Sequence, residues 1–176
     1  MNILSFDVES NGLHGEAFSV AGVLLNEDRH IISQFVSRCP IIGPVDTWVS
    51  ENVIGPMTAI PETVPDARSM RDDFWKWYIE CRTDPVMIVA ANPYPVEARF
   101  LIACQNDDMP SRDFDHPFPY FDLSSMLFSL GHVTPEERRA FVKKAIRDAI
   151  GESHNPLWDA KAAAYTAYAI NGLSKN

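Results

Sequence analysis

Apolar residues cluster in three short stretches near the N-terminus, at 2–8 (NILSFDV), 17–25 (AFSVAGVLL) and 30–37 (HIISQFVS). Each reads as a strand, and the polar NEDR between the second and third predicts a hairpin turn. Residues 40–65 are rich in Pro and Gly, which predicts an irregular excursion with a short helix near VDTWVSENV. Over 66–82, Met70, Phe74, Trp77, Tyr78 and Cys81 recur at spacings of three and four, the mark of an amphipathic helix. VMIVAA at 86–91 is continuously apolar and fits a strand buried on both faces. A helix opened by Pro95 follows over 95–107, and PYFDLSSML predicts a short strand running into a helix capped by Asp or Ser. Residues 134–151 predict a helix with Thr134 as N-cap, Pro135 first, Glu137 completing a capping box and Gly151 as terminator. The last helix, PLWDAKAAAYTAYAINGL, is expected to stop at Asn171-Gly172.

Three strands in a meander, then alternating helix and strand, then helices, indicate a single α/β or α+β domain over 1–176 with a mixed central sheet. Composition supports a globular cytoplasmic protein: 46% hydrophobic and 22% charged, with no apolar run near the length of a membrane span. MNILSFDVES lacks the basic and apolar regions of an export signal. Cys39, Cys81 and Cys104 are odd in number and widely spaced, which points to reduced core or boundary thiols. The net charge of −9 argues against coating nucleic acid by charge alone. It leaves room for an enzyme whose metal ions supply positive charge locally.

Asp7 and Glu9 lie two apart on a strand, so their carboxylates share one face. Like charges held that close repel unless a cation lies between them, and hard divalent ions prefer carboxylate oxygens. A solvated acidic edge strand would show the same tripeptide. HNPLWDA sets His154 five positions before Asp159 at the opening of the last helix. By itself that arrangement is compatible with ordinary helix capping.

Taken in order, SFDVESNGL, the buried strand leading to NPYPVEARFL, and HNPLWDA resemble the three motifs of the DEDD family of 3′–5′ exonucleases, in its DEDDh subgroup. The resemblance spans residues 3 to about 170 and implies a ribonuclease H-like mixed sheet of about five strands flanked by helices. One position departs. Where the family's second motif carries Asp, this chain has Glu97. Either the glutamate serves as the ligand, or the site is degenerate and the chain is a nucleic-acid-binding or protein-interaction module on the same fold.

The resemblance implies a metal-dependent 3′–5′ exonuclease that acts on single-stranded ends, RNA or short oligonucleotides slightly favoured, and releases nucleoside monophosphates. Asp7, Glu9, Glu97 and Asp159 would hold two Mg²⁺ or Mn²⁺ ions about 3.5–4 Å apart. His154 would be the general base, a role suited to imidazole because it changes charge around neutrality. Ser10, Gly12, Leu13 and Asn92 would contact substrate, Leu13 packing against the 3′-terminal base unless it is an ordinary loop leucine. Trp158 is a further stacking candidate, whereas Phe18 is assigned to the core. Phe74, Trp75, Trp77 and Tyr78 are assigned to helix packing, and His14, His30, His116 and His132 to no chemistry. RRAFVKK (138–144) is either a solvated helix face or a track for phosphates. The 40–65 excursion and the aromatic helix are the candidate surfaces for a homodimer.

Overall fold

The computed structural model describes residues 1–82, 85–146 and 153–173. Its centre is a five-stranded sheet in the order β3-β2-β1-β4-β5. The strands are β1 (Asn2–Ser10), β2 (Ala17–Leu25), β3 (Ile31–Arg38), β4 (Val86–Ala90) and β5 (Phe121–Asp122). β1, β2 and β3 pair antiparallel, while β4 pairs parallel to β1 and β5 parallel to β4. This is the expected meander followed by crossovers.

Helices cover both faces because β1 alternates. Leu4, Phe6 and Val8 join a core with α1 (Thr47–Asn52), α2 (Ala67–Cys81) and α3 (Val96–Asp107). Ile3 faces the other way, into a core built with α5 (Leu123–Ser129) and α7 (Pro156–Leu173). β4 feeds both cores, Ile88 one and Met87 and Val89 the other, as its apolar run predicts. The aromatics of α2 are all buried, with Phe74 ringed by Phe6, Phe35, Trp77, Tyr78 and Phe100. They pack inside the chain, as assigned. Gly22 of β2 is where a Cβ cannot fit, since it would stand 2.3 Å from the Trp77 ring. The three cysteines are free and buried.

The remaining helices are α4 (Met109–Arg112), which the pattern does not announce, and α6 (Pro135–Ile146). The capping box of α6 forms as expected: Thr134 N–H donates to Glu137 Oε2 at 2.8 Å, and Glu137 N–H to Thr134 Oγ1 at 3.2 Å. The expected terminator Gly151 lies outside the described residues. α7 covers the expected segment, Pro156 to Leu173. Burial of Ile170 and the hydrogen bond from the Asn171 amide to Met87 Sδ hold its last turn against the sheet. No described helix is long and apolar enough to cross a membrane.

Candidate active site

The odd positions of β1 continue the face of Ile3, so Asp7 and Glu9 point to the side covered by α7. β4 pairs with β1 only as far as Ser5. Beyond it β4 no longer pairs with that edge of β1, and Asp159 comes in from the first turn of α7. Among the described residues, Asp7, Glu9 and Asp159 offer carboxylate oxygens that all lie within 4.8 Å of one another.

HNPLWDA is a helix entry bent to serve this point. Asn155 caps α7, its side chain accepting from Trp158 N–H at 3.3 Å and its carbonyl from Asp159 N–H at 2.9 Å. Pro156 opens the helix, where a missing N–H is harmless. Asp159 reaches back to accept from the His154 N–H at 2.8 Å. His154 takes a left-handed conformation, φ +65°, which is uncommon for a residue with a side chain. Its imidazole is held over the cluster, Nδ1 3.9 Å from Glu9 Oε1, and stands edge-on to the Trp48 ring with centroids 5.2 Å apart.

Glu97 sits at the second position of α3 and is 6% exposed. It approaches over the end of β4 and acts electrostatically on Asp7 and Glu9, yet it stands outside the tight set of three. Asp107 and Asp122 are no substitutes. Asp107 is committed to Arg71 (2.5 Å) and Arg68 (3.4 Å), and Asp122 caps α5 through Ser124 and Ser125.

All four carboxyls hold their protons far above the ordinary carboxylate range. Burial raises Asp7 well above its usual value, with further repulsion from Asp159, Glu97 and Glu9. Glu9 is pushed to about 8 by burial, then by Asp159 and Glu97. Glu97 rises to about 7 through burial, against the pull of its own amide and that of Val8, with Asp159 adding repulsion. Asp159 rises to about 7 through burial, opposed by the His154 amide. Glu9 keeps only 12% of its side-chain surface, so water screens the group poorly. Largely buried acids that offer only oxygen donors, with no Lys or Arg paired to them among the described residues, are what a pair of hard divalent ions would fit.

A cleft of about 770 Å³ opens over the cluster, large enough for a nucleotide. Ser10, Gly12, Leu13 and Asn92 all line it. Ser10 is mainly structural, its hydroxyl donating to the Gly12 carbonyl at 2.8 Å, and Gly12 adopts φ +79° against the Asp46 side chain. Leu13 is exposed at the mouth, and the Asn92 side chain accepts from Ser124 Oγ at 2.6 Å. Phe18 is buried in the core, as expected.

Three further residues belong to the site without a sequence signal that singles them out. Trp48 and Tyr94 are exposed and line the same cleft. Asn11 brings Trp48 there, binding the Pro44 carbonyl at 2.9 Å and the Asp46 N–H at 2.7 Å, so that the 40–65 excursion folds over the end of β1. Tyr120 stacks on Phe6, and its buried hydroxyl has no partner. Burial raises its pKa, with further repulsion from Glu97 and Asp7.

No family model matches the chain, and no curated protein matches it in sequence. Solved structures do share its fold. The nuclease domain of 3′hExo, a DEDDh family member bound to rAMP, superposes with a TM-score of 0.60 at 19% identity, covering 99% of this chain and 92% of that one. Exonuclease X in complex with 5′-overhanging duplex DNA gives 0.62 at 15% identity, over 99% of this chain and 93% of that one. E. coli Exonuclease I in complex with a dT13 oligonucleotide gives 0.67 at 13% identity, over 97% of this chain but only 41% of that longer one. At these identities the likeness is one of fold.

Proposed function

We propose that the chain is a divalent-metal-dependent 3′–5′ exonuclease that removes nucleoside 5′-monophosphates from single-stranded ends. The observation that carries this reading is the convergence of Asp7, Glu9 and Asp159 on one poorly hydrated point beside His154, at the floor of a nucleotide-sized cleft. The shared fold with exonucleases supports it.

Asp7, Glu9 and Asp159 would hold Mg²⁺ or Mn²⁺, with Glu97 completing the set from α3. Two such ions, when bound, neutralise the scissile phosphate and stabilise the attacking and leaving oxygens. His154 takes the proton of the attacking water. The water oxygen bonds to phosphorus, the bond from phosphorus to the neighbouring 3′-oxygen breaks, that oxygen takes a proton from solvent, and the shortened strand leaves with a new 3′-hydroxyl. Trp48 and the Asp159–His154 hydrogen bond orient the imidazole loop. Leu13 and Tyr94 offer apolar surface to the terminal base. Sugar preference is read by contacts to the 2′-hydroxyl, and the net charge of −9 gives little grip on a long polyanion, which favours short oligonucleotides.

The standing of Glu97 outside the tight set favours one rival, a degenerate module that binds nucleic acid or protein without cutting. The test is to incubate 5′-labelled RNA and DNA strands with the protein, with and without Mn²⁺. A metal-dependent ladder shortening from the 3′ end, with release of 5′-monophosphates, is expected. Intact strands in Mn²⁺ would overturn the nuclease reading in favour of the rival.

A further inference from the structure

α6 differs from the other long helices in that none of its residues is buried. It rides over α5 and α7 and leaves beneath it a cavity of about 420 Å³. The floor is apolar, made by Leu123, Leu127, Ala162 and Ala163. The rim is basic. Arg138, Arg139 and Lys143 line it from α6. Arg138 is steadied by the His132 and Val133 carbonyls and Arg139 by Glu136 at 2.6 Å, while Lys143 is exposed.

Two side chains in the lining mark this cavity as more than a packing gap. Trp158 Nε1 and Thr166 Oγ1 are buried polar atoms without a hydrogen-bond partner, and Thr166 is only 1% exposed. Buried donors are nearly always paired, so two orphans on one wall point to acceptors that arrive from outside the chain. An apolar floor, inward donors and a cationic rim together suit a nucleotide. The position is equally specific. Ala91, Asn92, Ser153 and Asp159 line both this cavity and the active-site cleft, so the two are neighbours across a single shared wall.

We propose that the cavity under α6 seats the nucleotide next to the 3′-terminal one, its base on the apolar floor and its phosphates on Arg138, Arg139 and Lys143. This rests on the nuclease reading and adds to it the course of the strand, out of the cleft past Asn92 and along α6. It also resolves how a chain of net charge −9 holds a polyanion: the positive groups stand where the strand leaves the acidic cluster.

Calorimetry in Mn²⁺ tests this with two ligands, thymidine 5′-monophosphate and a 5′-phosphorylated dithymidine whose linkage resists hydrolysis. The wild type should gain about tenfold in affinity on adding the second nucleotide, the scale of one stacked base. Raised salt should shrink that gain, since part of it is phosphate binding. In Arg139→Glu/Lys143→Glu, altered only at exposed positions, the gain should disappear. In Thr166→Val, an isosteric change that removes the orphaned donor, it should shrink. A gain that persists undiminished in the charge-reversed protein overturns the track and leaves the nuclease reading standing. A wild type that binds the mononucleotide but gains nothing from the second does the same. Binding of neither ligand to the wild type overturns both.

Discussion

The backbone N–H of His154 donates to the Asp159 carboxylate at 2.8 Å, so the residue proposed to hold a metal also fixes the loop that carries His154. This explains the spacing of the pair. Five positions let a helix-start aspartate fold back on the residue before the N-cap while its carboxylate also reaches Asp7 and Glu9. The arrangement bends His154 into φ +65°, a conformation that costs a residue with a Cβ about 1–2 kcal/mol and glycine almost nothing.

Replacing His154 therefore separates function from strain. His154→Ala and His154→Gly should both lose roughly 10²–10⁴ in rate, the usual share of a general base. In urea unfolding His154→Gly should be the more stable of the two, by up to about 1 kcal/mol. Equal stability of the two variants would show that the backbone there carries no strain, and wild-type rates in either would remove His154 from the mechanism.

The carboxyl cluster should make the metal-free protein less stable as pH rises. Glu9 titrates at about 8 and Asp159 at about 7 in the fold, against ordinary values of 4.5 and 3.8. Between these limits the native state holds more protons than the unfolded chain, so stability falls with increasing pH. Thermal unfolding in EDTA should thus show Tm declining from about pH 5 to about pH 8. Saturating Mn²⁺ should flatten the decline by favouring the ionised carboxylates. Asp7→Asn should weaken the decline without metal and abolish the Mn²⁺ response. A Tm independent of pH across this range would contradict the clustering.

Glu97 is the sharpest test of whether the site works as built. Its carboxylate is drawn to the Val8 amide on the open edge of β1, and aspartate in its place would fall short by one C–C bond, roughly 1.5 Å. A misplacement of about 1 Å costs on the order of 10²-fold in rate. Glu97→Ala should be nearly inactive and Glu97→Asp strongly impaired in a single-turnover digestion assay. An Asp variant markedly faster than wild type would mark the glutamate as a defect and favour the non-cutting module. An Ala variant as fast as wild type would remove Glu97 from the ligand set.

What the sequence determined by itself is local. The period of two in β1 sets Asp7 and Glu9 on one face, and NEDR turns β2 into β3. Thr134 and Glu137 close the capping box of α6, and the ordered motifs indicate the fold. These features depend on neighbours within a few positions, so chain order suffices to read them. Tertiary structure decided the rest, because it depends on where crossovers return. Glu97 stands apart from the tight triad because it enters from the opposite face, over the end of β4. Trp48 reaches His154 only because Asn11 binds the excursion that carries it. Tyr120 brings a buried, unpaired hydroxyl and a ring stacked on Phe6 of β1 from the segment just before β5. In each case the deciding partner lies far along the chain, and no spacing in the sequence encodes that distance.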